Sequence, residues 1–138
     1  MPPIDLEACN QSLKNTLAET LGIKVIGFEK GHVVATMPVD ARTHQPYGLL
    51  HGGASVALAE SIASMGGWYL VQEEGKIVVG QEINANHLRS VTSGTVTAEG
   101  HILHKGKISQ VWEVKIHDDK KRLVCISRCT LAVMDPRP

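Results

Sequence analysis

The sequence predicts an α+β fold, a six-stranded antiparallel sheet wrapped around one long apolar helix. Three observations carry that prediction. Residues 54–73 are small or straight-chain and apolar almost all the way round, so they read as a helix that other structure must cover. Four β-like runs follow it, joined by short turn-forming links that favour antiparallel neighbours. Two further β-like runs precede it and read as a hairpin. The chain has 138 residues, the length of one domain, and residues 1–138 are read as one. Aromatic residues are 4%, so the core must be mostly aliphatic.

In chain order, Asp5 caps a first helix. Leu6, Cys9, Leu13, Leu17 and Leu21 form one apolar stripe at helical spacing, and Gly22 is placed to end it. Residues 24–29 and 32–39 pair through a turn at Lys30-Gly31. Residues 40–50 hold Pro46, Gly48 and several polar side chains, a loop. Within the long helix, Gly66-Gly67 must thin it, bend it, or admit a close neighbour. Beyond Gly75 the strands are 77–89, 95–104, 108–117 and 122–134.

Charge narrows the function. Lys+Arg and Asp+Glu are both 14, which excludes nucleic-acid or acidic-membrane binding by bulk charge. No apolar run is long enough to span a bilayer, and the first residues lack the basic-then-apolar pattern of a signal peptide. Three cysteines without close-pair zinc spacing read as reduced thiols in a cytoplasmic protein. Cys125 and Cys129 share a strand face about 13 Å apart, too far for a disulfide, and read as packing residues. None of the seven histidines shows the i, i+4 spacing of a zinc protease, so no metal set is expected.

Glu60 is the one charged residue between His51 and Glu73. A carboxylate there must be paired, protonated, facing a cavity, or sitting on a helix edge that touches solvent. Ser64 lies one turn on, on the same face. That pairing suits a catalytic carboxylate with a nearby hydroxyl. His51-Gly52-Gly53 sits where the loop meets the helix. Helix-start N–H groups lack internal partners and carry the positive dipole end. Glycines there let a carbonyl or phosphate oxygen approach; the plainer reading is a tight turn. His87 and Arg89 share a strand face, and Arg89, Lys105 and Lys107 fall at strand ends and turns. They are solvated charges or holders of nucleotide phosphates.

The stretch from Arg42 to Ser55, RTHQPYGLLHGGAS, resembles the signature of hotdog-fold acyl-CoA thioesterases, in the branch with a catalytic glutamate on the central helix. Ala59-Glu60-Ser61-Ile62-Ala63-Ser64 and the run from Val79 to Ser90, VGQEINANHLRS, extend the resemblance, which covers residues 21–133. It is similar above all to 1,4-dihydroxy-2-naphthoyl-CoA hydrolases of menaquinone biosynthesis and to proofreading thioesterases of aryl-carrier siderophore assembly. The resemblance implies that the Gly52 N–H polarises the thioester carbonyl and Glu60 is nucleophile or general base. It implies that Ser64 holds the water or acyl group, and that Gln45 and His51 position the thioester. Gly80, His87, Leu88, Arg89 and Ser90, with the loop His104, Lys105, Gly106, Lys107, Ile108 and Ser109, would contact the acyl group and CoA. No cofactor is implied. Leu50, Met65, Trp68 and Tyr69 are candidate walls of a flat acyl pocket, or core packing.

Thioester chemistry suits these residues. Thiolate leaves well, so a dipole on the carbonyl oxygen and a carboxylate suffice. Two other readings are a hotdog hydratase, for which the usual carboxylate–histidine spacing is missing, and a non-catalytic acyl-CoA-binding sensor, which gains little from Glu60. Helix geometry adds one constraint. Gly52 and Glu60 are about 12 Å apart along the axis and about 80° apart around it. One carbonyl cannot sit within about 3 Å of the Gly52 N–H and still meet the same chain's Glu60. Either one role is wrong, or sites are shared across a homodimer. The resemblance agrees, and implies tetramers.

Overall fold

The central helix α3, Gly52–Val71, is 20 residues long and is buried along most of its length. The computed structural model describes residues 4–138. A 3-10 turn, Gln72–Glu74, follows α3 and stops at Gly75, whose φ of 67° suits a residue without Cβ. The strands are β1 Lys24–Glu29, β2 His32–Pro38, β3 Ile77–His87, β4 Thr95–Lys105, β5 Ser109–His117 and β6 Leu123–Met134. They form one six-stranded sheet in the order β1-β2-β4-β5-β6-β3, with every pair antiparallel. The predicted fold class is the observed one.

Period-2 alternation places the core. Val33, Ala35 and Met37 on β2, Val96 and Ala98 on β4, Trp112, Val114 and Ile116 on β5, and Cys129 and Leu131 on β6 are all buried. They face Leu58, Ala59, Ile62 and Ala63 of α3, also buried. The Gly66-Gly67 pair admits close approach. A Cβ on Gly66 would lie 2.4 Å from Trp112 Cη2, and one on Gly67 would lie 2.5 Å from Leu131 Cδ1. Buried Gln110, unmarked by any sequence pattern, donates from Nε2 to the Gly67 carbonyl at 3.2 Å and accepts from Trp112 Nε1 at 2.9 Å.

The first helix departs from expectation. The apolar stripe from Leu6 to Leu21 is two short helices, α1 Leu6–Gln11 and α2 Leu17–Thr20. Between them Asn15 is left-handed at φ 62°. Ser12 Oγ donates to the Cys9 carbonyl and Thr16 Oγ to the Leu13 carbonyl, both at 2.6 Å. These local side-chain bonds compete with the helical ladder, and tertiary packing decides against it. Asp5 caps α1, accepting from the Glu7 and Ala8 N–H groups. Asn10 ties α1 to β1, donating to the Val25 carbonyl and accepting from the Val25 N–H, both at 2.9 Å.

Strand ends shift by a residue or two. β3 stops at His87, leaving Leu88, Arg89 and Ser90 beyond it, and β4 runs on through Lys105, which is a strand residue rather than a turn residue. The 40–50 segment is a loop held at both ends. Thr43 Oγ1 donates to the Pro38 carbonyl at 2.8 Å, and the Leu50 and His51 N–H groups donate to the carbonyls of Val91 and Thr43 at 2.8 Å. Among the described residues no helix is long and apolar enough to cross a membrane.

Candidate active site

His51 is the N-cap of α3, and its Nδ1 accepts from the Gly53 N–H at 2.7 Å. An accepting Nδ1 places the ring proton of the neutral imidazole on Nε2. Among the described residues no protein acceptor takes the Gly52 N–H. It is the free donor that a helix start supplies. Gly52 has no room for a side chain, because a Cβ there would lie 2.8 Å from His87 Nε2. Gln45 accepts at Oε1 from the N–H groups of Tyr47 and Leu49, so its NH2 end is the one left for a ligand. Gln45, Leu50, Gly52, His87, Leu88, Arg89 and Ser90 all line one cavity of about 340 Å³.

Glu60 lies in a different place. It is half-buried and lines a cavity of about 400 Å³ with Gly53, Ser61 and Ser64. Ser61 is engaged with the Ala57 carbonyl at 2.6 Å. Gly80 makes room for the carboxylate: a Cβ there would fall 2.9 Å from Glu60 Cδ and 3.1 Å from both oxygens. Gly80 stands at a bulge, where the β3–β6 register shifts between Gly80 and Glu82. Burial, and then the charges of Glu60 and Glu82, push the neighbouring Cys129 thiol up to about 12. That thiol stays protonated and is no nucleophile. The Gly52 and Glu60 cavities share no lining residue.

The remaining predicted contacts divide between two ends of the sheet. His104 and Lys105 end β4, Gly106, Lys107 and Ile108 make the turn, and Ser109 opens β5. The Gly106 N–H donates to the Ser109 carbonyl at 2.8 Å, Ile108 is 76% exposed, and Lys105 Nζ is 4.0 Å from Glu74 Oε1. Ser109 pairs with Ala132, which pairs with Val79 near the start of β3. Arg89 follows the end of β3, about 26 Å or more along the strand from Val79. Within one chain, then, Arg89 is not brought to Lys105 and Lys107. The four candidate wall residues also divide. Leu50 lines the Gly52 cavity, whereas Met65, Trp68 and Tyr69 line a third cavity of about 320 Å³ between α1 and α3. Phe28, which the sequence reading passed over, completes that aromatic wall, edge-on to Tyr69 at 5.4 Å between ring centroids. A strand register is needed to find it.

Residues 47–125, more than half of the chain, match the thioesterase superfamily. The chain belongs to that superfamily. This thioesterase is 53% identical over 131 residues to the proofreading thioesterase EntH of Klebsiella pneumoniae, with 95% of each chain covered. It is 50% identical over 121 residues to the 1,4-dihydroxy-2-naphthoyl-CoA hydrolase of Listeria monocytogenes, covering 88% of this chain and 98% of that relative. Among solved structures, the thioesterase PA1618 of Pseudomonas aeruginosa superposes with a TM-score of 0.93 at 46% identity, covering 96% of both chains. The PaaI protein of E. coli, from the phenylacetic acid degradation operon, superposes at 0.80 with 25% identity, covering 92% of this chain and 90% of that one. The protein is a hotdog-fold thioester hydrolase, and the sensor and hydratase readings fall.

Proposed function

We propose that this thioesterase hydrolyses an aromatic acyl-CoA, such as 1,4-dihydroxy-2-naphthoyl-CoA, to the free acid and CoA. The observation that carries the reading is the pairing of an unoccupied backbone donor at the start of α3 with a lone carboxylate farther along it. The Gly52 N–H polarises the carbonyl, with Gln45 and His51 positioning the thioester. Glu60 then attacks the carbonyl carbon to give an anhydride that water hydrolyses, or takes a proton from the attacking water; either way CoA leaves as its thiolate. Ser64 holds the water or the acyl group. The cavity walled by Phe28, Met65, Trp68 and Tyr69 suits a flat ring. Half identity to a naphthoyl-CoA hydrolase supports the aryl-CoA substrate. The proofreading relative, 53% identical, supports a second reading, hydrolysis of acyl groups on a carrier protein.

The site is completed by a second copy. β3 is a sheet edge and is largely exposed, so its outer N–H and C=O groups are open to another strand. Gly80, beside Glu60, and His87, beside Gly52, are about 23 Å apart on this strand. An antiparallel β3–β3 pair centred near Ile83 and Asn84 sets each Gly80 against the partner's His87. Glu60 then meets the partner's Gly52, and Arg89 approaches the partner's Lys105 and Lys107. We propose that two such dimers pair into a tetramer, as the family resemblance implies.

Two measurements test this. Thiol release is followed across aryl, short-chain and long-chain acyl-CoAs and an aryl carrier protein; aryl-CoA should give the highest kcat/KM, and a carrier-protein preference favours the second reading. Glu60→Gln and Gln45→Ala, each inactive alone, are then co-expressed. Random mixing should restore about a quarter of wild-type activity, since half the dimers are mixed and each holds one intact site. Mixed dimers that form and stay dead would place each site within one chain.

A further inference from the structure

The outer face of the sheet, opposite α3, carries a side-chain cluster that thioester hydrolysis does not use. His32 on β2 and His101 on β4 are directly opposed across the two strands. Glu99 lies two residues before His101, hence on the same face. His32 Nε2 is 2.8 Å from Glu99 Oε1, and His101 Nε2 is 3.1 Å from the same oxygen. The two imidazoles stack, with centroids 4.2 Å apart and planes at 9°. Their chain neighbours face the other way: Val33 is fully buried, and Gly100 backs onto Ile62 of α3.

We propose that His32, Glu99 and His101 form a binding site for a borderline divalent metal ion, Zn²⁺ in the first instance. The three donor atoms lie within 4.8 Å of one another. In a tetrahedral zinc site with bonds of 2.0–2.1 Å, donor atoms are separated by about 3.3 Å. The two nitrogen–oxygen distances already stand within about half an ångström of that value. To bind one ion the two partly exposed rings must tilt out of their parallel stack, so that the in-plane lone pairs of both Nε2 atoms converge beside Glu99. Two imidazoles and one carboxylate suit Zn²⁺, Ni²⁺ or Cu²⁺ and not Mg²⁺ or Ca²⁺, which take oxygen donors. Three protein ligands leave a fourth position for water. The β2–β4 ladder fixes the backbone spacing beneath the ligands, so little ordering is lost on binding.

An ion held there clips β2 to β4 on the side of the sheet away from Glu60. The site therefore stands or falls independently of the catalytic reading. The test is calorimetric titration of the tag-free, chelator-stripped protein with Zn²⁺. The expected result is about one ion per chain and a higher Tm with zinc. His32→Ala, Glu99→Gln and His101→Ala should each weaken binding by at least about tenfold, as loss of a ligand should cost no less than loss of its supporting shell. His117→Gln and Cys9→Ser should leave binding unchanged, and thioester turnover by the three ligand variants should match wild type. Co²⁺ bound to the wild-type protein should show the absorption bands of a tetrahedral nitrogen–oxygen site, a readout that needs no variant to fold. Failure of the wild type to take up zinc, or uptake unchanged by His32→Ala with His101→Ala in a folded double variant, overturns the proposal.

Discussion

The cavity at the start of α3 and the cavity around Glu60 are built on the same helix, yet their chemistry is opposite. The first offers donors, the Gly52 N–H, the NH2 end of Gln45 and the Arg89 guanidinium, with the His87 imidazole beside them. The second holds a carboxylate and a hydroxyl, Glu60 and Ser64. Each is kept open by a glycine that a Cβ would close, Gly52 against His87 and Gly80 against Glu60. A hydrolase needs both kinds of group on one carbonyl, and a single straight helix separates them by about 12 Å. On the proposed mechanism, that separation calls for a second copy of the chain to complete the site.

The comparison can be broken most sharply at Glu60. Glu60→Gln keeps size and hydrogen bonding but removes the basic oxygen, and kcat should fall by at least about 10³ with the fold retained. Near-normal thiol release by a folded variant would leave the donor cavity as the only reacting half. Gly80→Ala is the next largest. Its Cβ forces the Glu60 carboxylate aside, and kcat should drop by roughly 10- to 100-fold, while Tm changes little because only the end of a side chain must move. A loss of Tm equal to that of a core variant would show that Gly80 serves the fold instead.

Smaller effects sharpen the division between the two ends of the sheet. Arg89→Ala and Lys105→Ala should each raise KM for a CoA thioester by a few-fold, more at low salt, with kcat mostly kept. A pantetheine thioester, lacking the nucleotide, should not respond; equal sensitivity of both substrates would assign these residues to the fold. Smallest on turnover is Gly66→Ala. Its Cβ meets the Trp112 ring at 2.4 Å and Val33 at 2.9 Å. Overpacking of about 1–3 kcal/mol should lower Tm by roughly 4–12 °C and leave the activity of the folded fraction near wild type. A Tm within about a degree of wild type would mean the core yields there.

Much of this was legible in the sequence. The apolar helix, the strands and their turns follow from periodicity, which tertiary packing rarely overrides in long segments. The same periodicity misled at residues 6–21, because Ser12 and Thr16 offer the backbone local partners, and Asn15 turns left-handed, in ways that a count of leucines does not register. Within the site, His51, Gly52 and Glu60 stood out because helix geometry relates them along the chain. Relations across the sheet left no such trace. Gly80 beside Glu60, Phe28 beside Tyr69, and His32 opposite His101 depend on strand order and register. Spacing along the chain therefore gave seven histidines and no ligand set, and it grouped Arg89 with two lysines that one chain holds at the far end of the sheet.

The Trp112–Gln110–Gly67 hydrogen-bond chain has a spectroscopic consequence. The protein has two tryptophans, one at 0% exposure with its indole N–H bonded to Gln110, the other, Trp68, 48% exposed at the rim of the aromatic cavity. Trp112 should emit at short wavelength and be shielded from iodide quenching, and Trp68 should emit to the red and be quenched readily. The intrinsic fluorescence thus contains two separable reporters: the blue component follows loss of the packed sheet–helix interface, and the red component responds to an occupant of the cavity while the fold stays intact.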